Sequence, residues 1–309
     1  MLKFIFHRLL QLVPVLVVVI TVTFLMAKKA PGGPFSAERK ASPQVIERQN
    51  AYYGYDKPLP VQYFRYLANL AKGQLGPSTT YPTETVNQVI ARSFPVSLQV
   101  GTLAMAIALA FGVPAGVLAA VRKNTLLDYL PMSFAMSGIC LPTFVMGPVL
   151  AIIFGLWLHW GNVAGIDQAE NTWLPPIFLP ALTLGLFYGA YVARLTRGGM
   201  LEVLTQDFIR TAQAKGVNSL RIILKHTLKG GLMPVVSFLG PAFAGLISGS
   251  FVVEKVFNLP GLGKEFIKAA FNRDYSLILG TVVFYAVLIV VFNLLVDVIH
   301  ALLDPRIRH

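Results

Sequence analysis

Six long stretches of the chain carry no Asp, Glu, Lys or Arg: 9–27, 93–121, 129–166, 171–193, 230–253 and 275–296. Each comes up to the about 20 residues that a helix needs to cross the hydrocarbon layer of a bilayer. Helices satisfy their own backbone polar groups, so the pattern predicts an all-α integral membrane protein with six transmembrane helices. The third stretch is longer than one crossing requires, and Trp157 and Trp160 near its end read as an interfacial belt.

Two polar segments interrupt this pattern. The first, 28–92, opens with the turn formers Pro31-Gly-Gly-Pro34. Ser42-Pro43 then reads as the N-cap and first position of a short helix running toward Tyr53. Phe64, Leu67 and Leu70, beside Tyr63, Arg65 and Lys72, predict an amphipathic helix suited to the membrane surface. A third short helix, 83–91, leads into the second span. The segment is expected to be a small folded cap.

The second polar segment, 194–229, contains the element richest in functional information. Asp207 is placed to accept backbone N–H bonds at a helix start, and Gly216 stands where a helix stop needs a left-handed residue. Between them Phe208, Ile209 and Ala212 are expected to share an apolar face, with Arg210, Thr211 and Lys215 beside it. Ala212 and Ala214 are small enough for a partner to come close to the backbone. Arg194, Arg197, Arg221, Lys225 and Lys229 flank the helix. This reads as a plug for a socket on another molecule. Glycines four residues apart, Gly112 with Gly116, Gly185 with Gly189 and Gly245 with Gly249, predict close helix packing in lipid, with contacts inside the chain favoured over a subunit interface.

Composition agrees with the membrane reading: 55% of residues are hydrophobic and only 13% charged, with mean hydropathy +0.64. The formal charge of +12 is a topology signal and not a nucleic-acid footprint, because no basic patch is interleaved with aromatics in a polar domain. Six spans put both termini on one side. Arg and Lys of the short loops gather on the side of 1–8, 194–229 and 304–309, while most of the others fall in the long 28–92 loop, which the positive-inside rule discounts. Both termini are therefore assigned to the cytoplasm. The first run ends at Lys28-Lys29 without a small-x-small cleavage site and reads as an uncleaved helix.

Catalytic chemistry is missing from the pattern. Cys140 stands alone, so neither a disulfide nor a zinc framework is available. No nucleophile pairs with a base, and no metal site is predicted. Gly263-Lys264 has Asn258 and Glu265 where a phosphate-binding loop needs Gly and Ser or Thr. Asp297, near the inner end of the last span with His300 three residues on, is read as locally paired and not as a proton relay. A secondary transporter would show internal symmetry and buried charged ligands, which the chain lacks.

Arg210-Thr-Ala-Gln-Ala-Lys-Gly216 resembles the cytoplasmic EAA loop of ABC importer permeases in its peptide and nickel branch, with Arg210, Thr211 and Lys229 departing from the general pattern. Further matches keep their order along the chain: Phe4-Ile-Phe-His-Arg-Leu-Leu10 with Pro14, Gly54-Tyr-Asp-Lys-Pro-Leu59, Phe94-Pro-Val-Ser97, Glu254 with Pro260-Gly-Leu-Gly263, Arg273-Asp-Tyr275 and Asp304-Pro-Arg-Ile-Arg308. The 34–39 stretch is most similar to B-type permeases of oligopeptide importers; dipeptide or nickel carriage is the alternative. The resemblance implies a type I permease fold, N-in and C-in, divided into a cytoplasmic N-terminus 1–8, a first span 9–27, a periplasmic cap 28–92, a five-helix core 93–303 with a coupling loop 194–229, and a cytoplasmic tail 304–309. It also implies a bacterial inner-membrane location, a C-type permease partner, two cytoplasmic ATPases carrying ATP and magnesium, and a periplasmic peptide-binding protein. In the family, the helix matching Phe208 to Gly216 seats on the ATPase. No cofactor is implied on this chain.

Overall fold

The computed structural model describes residues 2–29, 47–48, 51, 53–160 and 174–303. Along them run α1 (Leu2–Lys29), α2 (Leu59–Ala71), α3 (Val86–Val121), α4 (Leu126–Cys140), α5 (Thr143–Leu150) and α6 (Phe178–Leu204). They are followed by α7 (Asp207–Ala214) and by α8, in which Ser219–Arg221 passes through a π-helical stretch, Ile222–Thr227, into Leu228–Gly231. The remaining helices are α9 (Met233–Ile247), α10 (Phe251–Val256), α11 (Leu262–Phe271) and α12 (Tyr275–Leu303). Among the described residues four helices are long and apolar enough to cross a membrane: Val86–Val121, Phe178–Leu204, Met233–Val256 and Tyr275–Leu302. A bent pair, Leu126–Cys140 with Thr143–Trp157, raises the number to five. The expected first span lies within α1. The short helix expected from Ser42-Pro43 lies for the most part outside the described residues.

Element boundaries depart from the charge-free runs for local reasons. The expected helix 83–91 is no separate element. Thr85 and Gln88 form a reciprocal cap, Gln88 N donating to Thr85 Oγ1 at 3.3 Å and Thr85 N to Gln88 Oε1 at 2.8 Å, and α3 continues from there through Pro95. The third run breaks instead of crossing straight, its halves meeting at 108°. Leu141 precedes Pro142 and is held extended at φ −82°, ψ 116°, since the proline ring excludes the helical region for its predecessor. The fifth run also breaks: α9 stops at Ile247, and Gly249 turns left-handed at φ +93° before α10 begins.

The core is the pairing of α3 with α6. A Cβ placed on Gly112 would lie 2.6 Å from the Gly189 carbonyl oxygen, and one on Gly116 2.5 Å from that of Ala193. From the other helix, a Cβ on Gly185 would meet Ile107 side-chain carbon at 2.7 Å. Small residues let the two backbones approach, so dispersion contacts replace the water exclusion that lipid cannot supply. Gly245 and Gly249 are a correction to the expected third pair. Gly245 is exposed, and Gly249 lies beyond the end of its helix, where it makes room for the Glu254 carboxylate and the Gly263 amide.

One buried carboxylate, Asp274, fastens the cap to the core, and a second, Glu254, joins helices within the core. Asp274 caps α12 by accepting from Leu277 N at 3.0 Å, and its other oxygen accepts from Ser78 Oγ at 2.5 Å and from Thr79 N and Thr80 N at 2.9 Å. Glu254 accepts from Ser97 Oγ and from Lys264 N, each at 2.8 Å, and so holds the first turn of α11 against α3. Its carboxylate lies where the positive end of a helix dipole favours negative charge. Helix α2 leans on α1 through Thr21 Oγ1 and Tyr63 Oη at 2.6 Å and through Phe24 with Tyr63 and Tyr66. Phe64 is exposed on this helix, while Leu67 and Leu70 are half-buried.

Candidate functional site

The α7–α8 hairpin stands on the end of α6. Helix α7 begins after Gln206, whose extended backbone (φ −76°, ψ 151°) occupies the N-cap without a side-chain bond. Asp207 is therefore the first helical residue and not the cap. Its exposed carboxylate reaches Arg210 at 3.5 Å, one turn along, and sits where the helix dipole favours an acid. Thr211 Oγ1 donates to the Asp207 carbonyl at 3.0 Å.

The helix closes with both bonds of a Schellman turn: Val217 N donates to Ala212 O at 3.1 Å and Gly216 N to Gln213 O at 2.9 Å. Gly216 has φ +72°, the left-handed conformation that this turn requires. Asn218 then caps α8 by accepting from Leu220 N at 2.8 Å. Two caps within three residues set the angle between α7 and α8, leaving the chain little freedom at the turn.

One side of the hairpin is fixed and the other is free. Ile209 is 1% exposed and packs with Val203 of α6 and Ile222 of α8, with Ala212 and Val217 at the margin. Phe208 is 47% exposed. The expected shared face of Phe208, Ile209 and Ala212 is thus corrected: residues 209 and 212 anchor the hairpin, and Phe208 points away. Adjacent helical positions lie about 100° apart, so they rarely serve one face. Phe208, Leu220 and Leu224 are exposed apolar side chains among the exposed Arg210, Lys215, Arg221, Lys225 and Lys229. Ala214 is exposed and Ala212 half-buried. Beside α7 a cleft of about 580 Å³ is bordered by Glu202, Gln206, Phe208, Lys225, Lys229 and Met233.

Arg194 and Arg197 belong to α6 and not to the loop. Arg197 grips Asp128 with two bonds, Nε at 2.6 Å and NH2 at 2.8 Å, and Asn124 N donates to the same carboxylate at 3.0 Å. Asp128 is 1% exposed. The pair braces the start of α4 against the helix that carries the hairpin. Sequence reading missed it because the partners are 69 positions apart. The burial of Asp274 and Glu254 is likewise missed by sequence reading; the signal for Glu254 was the acid near Pro260-Gly-Leu-Gly263, whose glycines leave room for a carboxylate. Among the described residues no group of His, Cys, Asp or Glu could hold a metal ion. His300 bonds Ser237 Oγ at 3.1 Å, linking α12 to α9.

Comparison with known proteins adds the family. Residues 112–309 match the family model described as the binding-protein-dependent transport system inner membrane component, and residues 1–101 match the N-terminal model of the same systems. The oligopeptide transport system permease protein OppB of Haemophilus influenzae is 47% identical over 309 residues, covering all of both chains. OppB of Salmonella typhimurium is 46% identical with the same coverage. The dipeptide transport system permease protein DppB of Bacillus subtilis is 42% identical, with 100% of this chain and 98% of the relative covered. Among solved structures, a chain of the inward-facing MetNI methionine ABC transporter superposes with TM-score 0.59 at 16% identity, over 70% of this chain and 97% of the other. That likeness concerns the fold alone.

Proposed function

The chain belongs to the family of binding-protein-dependent transport system inner membrane components, and from this we propose that it is the multi-pass permease subunit of an ABC importer that carries peptides, with oligopeptides as substrate. The observation that carries the reading is the collinear match of all 309 residues to oligopeptide permeases. The chain itself is not an enzyme. ATP and magnesium belong to two cytoplasmic ATPase partners, a homologous C-type permease completes the pathway, and a periplasmic binding protein delivers the peptide.

In this reading α1, 28 residues and about 42 Å long, is the first of six spans, and both termini face the cytoplasm of a bacterial inner-membrane protein. Support comes from the exposed Val13, Val15, Val18 and Val22 along α1, a surface suited to lipid. The cap then lies outside and the α7–α8 hairpin inside. The hairpin is the coupling element: Phe208, Arg210 and Lys215 meet the ATPase, Ile209 ties them to α6, and Asp128 with Arg197 passes force from α6 to α4. Two helices broken at Leu141-Pro142 and at Gly249 give the core points at which it can bend.

Reconstitution tests this. Vesicles containing this chain, the C-type permease, the ATPases and peptide-loaded binding protein are expected to accumulate an oligopeptide only with ATP and magnesium. Accumulation driven by a pH gradient without nucleotide would overturn the reading.

A further inference from the structure

Two breaks in the backbone border one cavity. Between α4 and α5, Leu141 and Pro142 are extended at φ −82°, ψ 116° and φ −59°, ψ 143°, and both are exposed. Between α9 and α10, Gly249 is left-handed and Ser250 extended at φ −89°, ψ 97°. The cavity, of about 390 Å³, is walled by Pro142, Thr143 and Phe144 after the first break, by Ser250 at the second, and by Phe187 and Tyr188 of α6. A Cβ placed on Gly245 would lie 3.4 Å from Tyr188 Oη, so this hydroxyl stands against the last turn of α9. Helix α6 fixes the depth. Phe187 and Tyr188 come nine and ten residues after its start at Phe178, about 14–15 Å along a helix of about 40 Å. In the spanning orientation the cavity is therefore inside a hydrocarbon layer about 30 Å thick.

Lipid offers no hydrogen bonds, so exposed non-helical backbone at this depth persists only against protein or in a water-filled cavity. The wall supplies the hydroxyls of Thr143, Tyr188 and Ser250 and the rings of Phe144, Phe187 and Tyr188, and no residue bordering it is charged. Ser250 heads α10 without a side-chain cap, so its hydroxyl is not committed to its own helix. The volume falls in the range of small-molecule sites, about 300–1,000 Å³. We propose that this cavity is a section of the peptide pathway, in which the three hydroxyls exchange hydrogen bonds with the backbone of an extended peptide while the rings receive its side chains. The proposal deepens the peptide-importer reading and rests on it. A helix of the second permease would arrive with its backbone groups already paired and leave the hydroxyls unused. An extended peptide brings an unpaired N–H and C=O at nearly every residue. The uncharged wall suits cargo of varied sequence, because a fixed charge in a low-dielectric layer would trap peptides of one sign and repel those of the other.

The test introduces single cysteines into the assembled complex in vesicles, after Cys140, the only cysteine of this chain, is changed to Ser. Thr143→Cys and Ser250→Cys are expected to react with a charged methanethiosulfonate at least about tenfold faster than Val18→Cys, since charge enters lipid only at high cost; Val18 is 59% exposed on the apolar surface of α1. Phe144→Cys takes the place of either variant that fails to assemble. Each cavity variant is compared with itself before and after reaction, and modification is expected to abolish ATP-driven uptake of tri-alanine. Cavity cysteines inert to the charged reagent both without nucleotide and with ATP, the result if lipid or a helix of the second permease fills the space, would overturn the proposal. Uptake that persists after complete modification would overturn it as well. Tri-alanine uptake by the wild-type complex, run in parallel, separates the readings: uptake with inert cysteines sinks only this inference, and absence of uptake sinks the importer reading itself.

Discussion

Gly216 offers the sharpest perturbation of the proposed coupling hairpin. Its φ is +72°, and nothing stands within 4 Å of where a Cβ would be. A new side chain therefore meets open space, and the penalty comes from the left-handed backbone alone, about 1–2 kcal/mol for an ordinary L-residue. Asn tolerates that conformation better than Ala, and a β-branched Val worse. One to two kcal/mol corresponds to about a 5- to 30-fold shift in a two-state equilibrium. The bonds at stake are those from Val217 N to Ala212 O and from Gly216 N to Gln213 O. Hydrogen exchange at residues 216 and 217 is expected to speed up by that factor in Gly216→Val, less in Gly216→Ala and least in Gly216→Asn. Peptide-stimulated ATPase activity in reconstituted vesicles is expected to fall in the same order while the spans insert normally. Wild-type exchange in Gly216→Val would refute the conformational reasoning. Faster exchange with full ATPase stimulation would refute the assignment of the hairpin to coupling.

Phe208→Ala removes an exposed ring without touching the Ile209 anchor; ATPase co-purification is expected to weaken by about 30-fold, as for an aromatic hot spot near 2 kcal/mol, while thermal stability in detergent stays unchanged. Asp128→Asn breaks the bidentate pair with the part-exposed Arg197 and is expected to cost about 1–3 kcal/mol, read as a lower melting temperature, whereas Asp128→Leu combined with Arg197→Met restores most of it by removing both charges. Gly116→Ala forces a methyl to 2.5 Å from the Ala193 carbonyl oxygen and is expected to destabilise the protein by about 1–3 kcal/mol; Gly245→Ala, whose nearest neighbour is Tyr188 Oη at 3.4 Å, should melt like wild type. Asp274→Ala removes the acceptor of three bonds that join the cap to α12 and of the α12 N-cap bond, and limited proteolysis between 53 and 85 is expected to accelerate at least tenfold, the effect of losing buried hydrogen bonds.

Much of the hairpin could be read from its residues. A helix start, an apolar position one turn in and a glycine stop are local rules, decided by atoms a few positions apart, and α7 with its Schellman turn follows them. The charge-free runs likewise marked the membrane helices, because hydrocarbon excludes charge wherever the chain later folds. The expected face was wrong by one position, since Phe208 and Ile209 are both apolar and only contact with Val203 and Ile222 selects the one that turns inward. The helix breaks were less legible: Pro142 bends its run at 108°, yet Pro95 and Pro114 are accommodated within α3. A proline removes one donor and restricts one neighbour in every case, and the packing around it decides whether the helix goes on.

By itself the sequence determined an all-helical membrane protein, the place of its polar hairpin and the family it resembles, all of which rest on composition, local spacing or collinear motifs. Only the tertiary structure decided that Asp128 serves Arg197, that Asp274 and Glu254 are buried clasps and not topology charges, that Gly249 is a turn and not a packing glycine, and that Pro142 and Ser250 border one cavity. Each of these joins groups from separate elements. A charge in a linear sequence is ambiguous between solvent and partner until the fold fixes its distance to the opposite charge, since attraction in a low-dielectric interior grows as that distance shrinks.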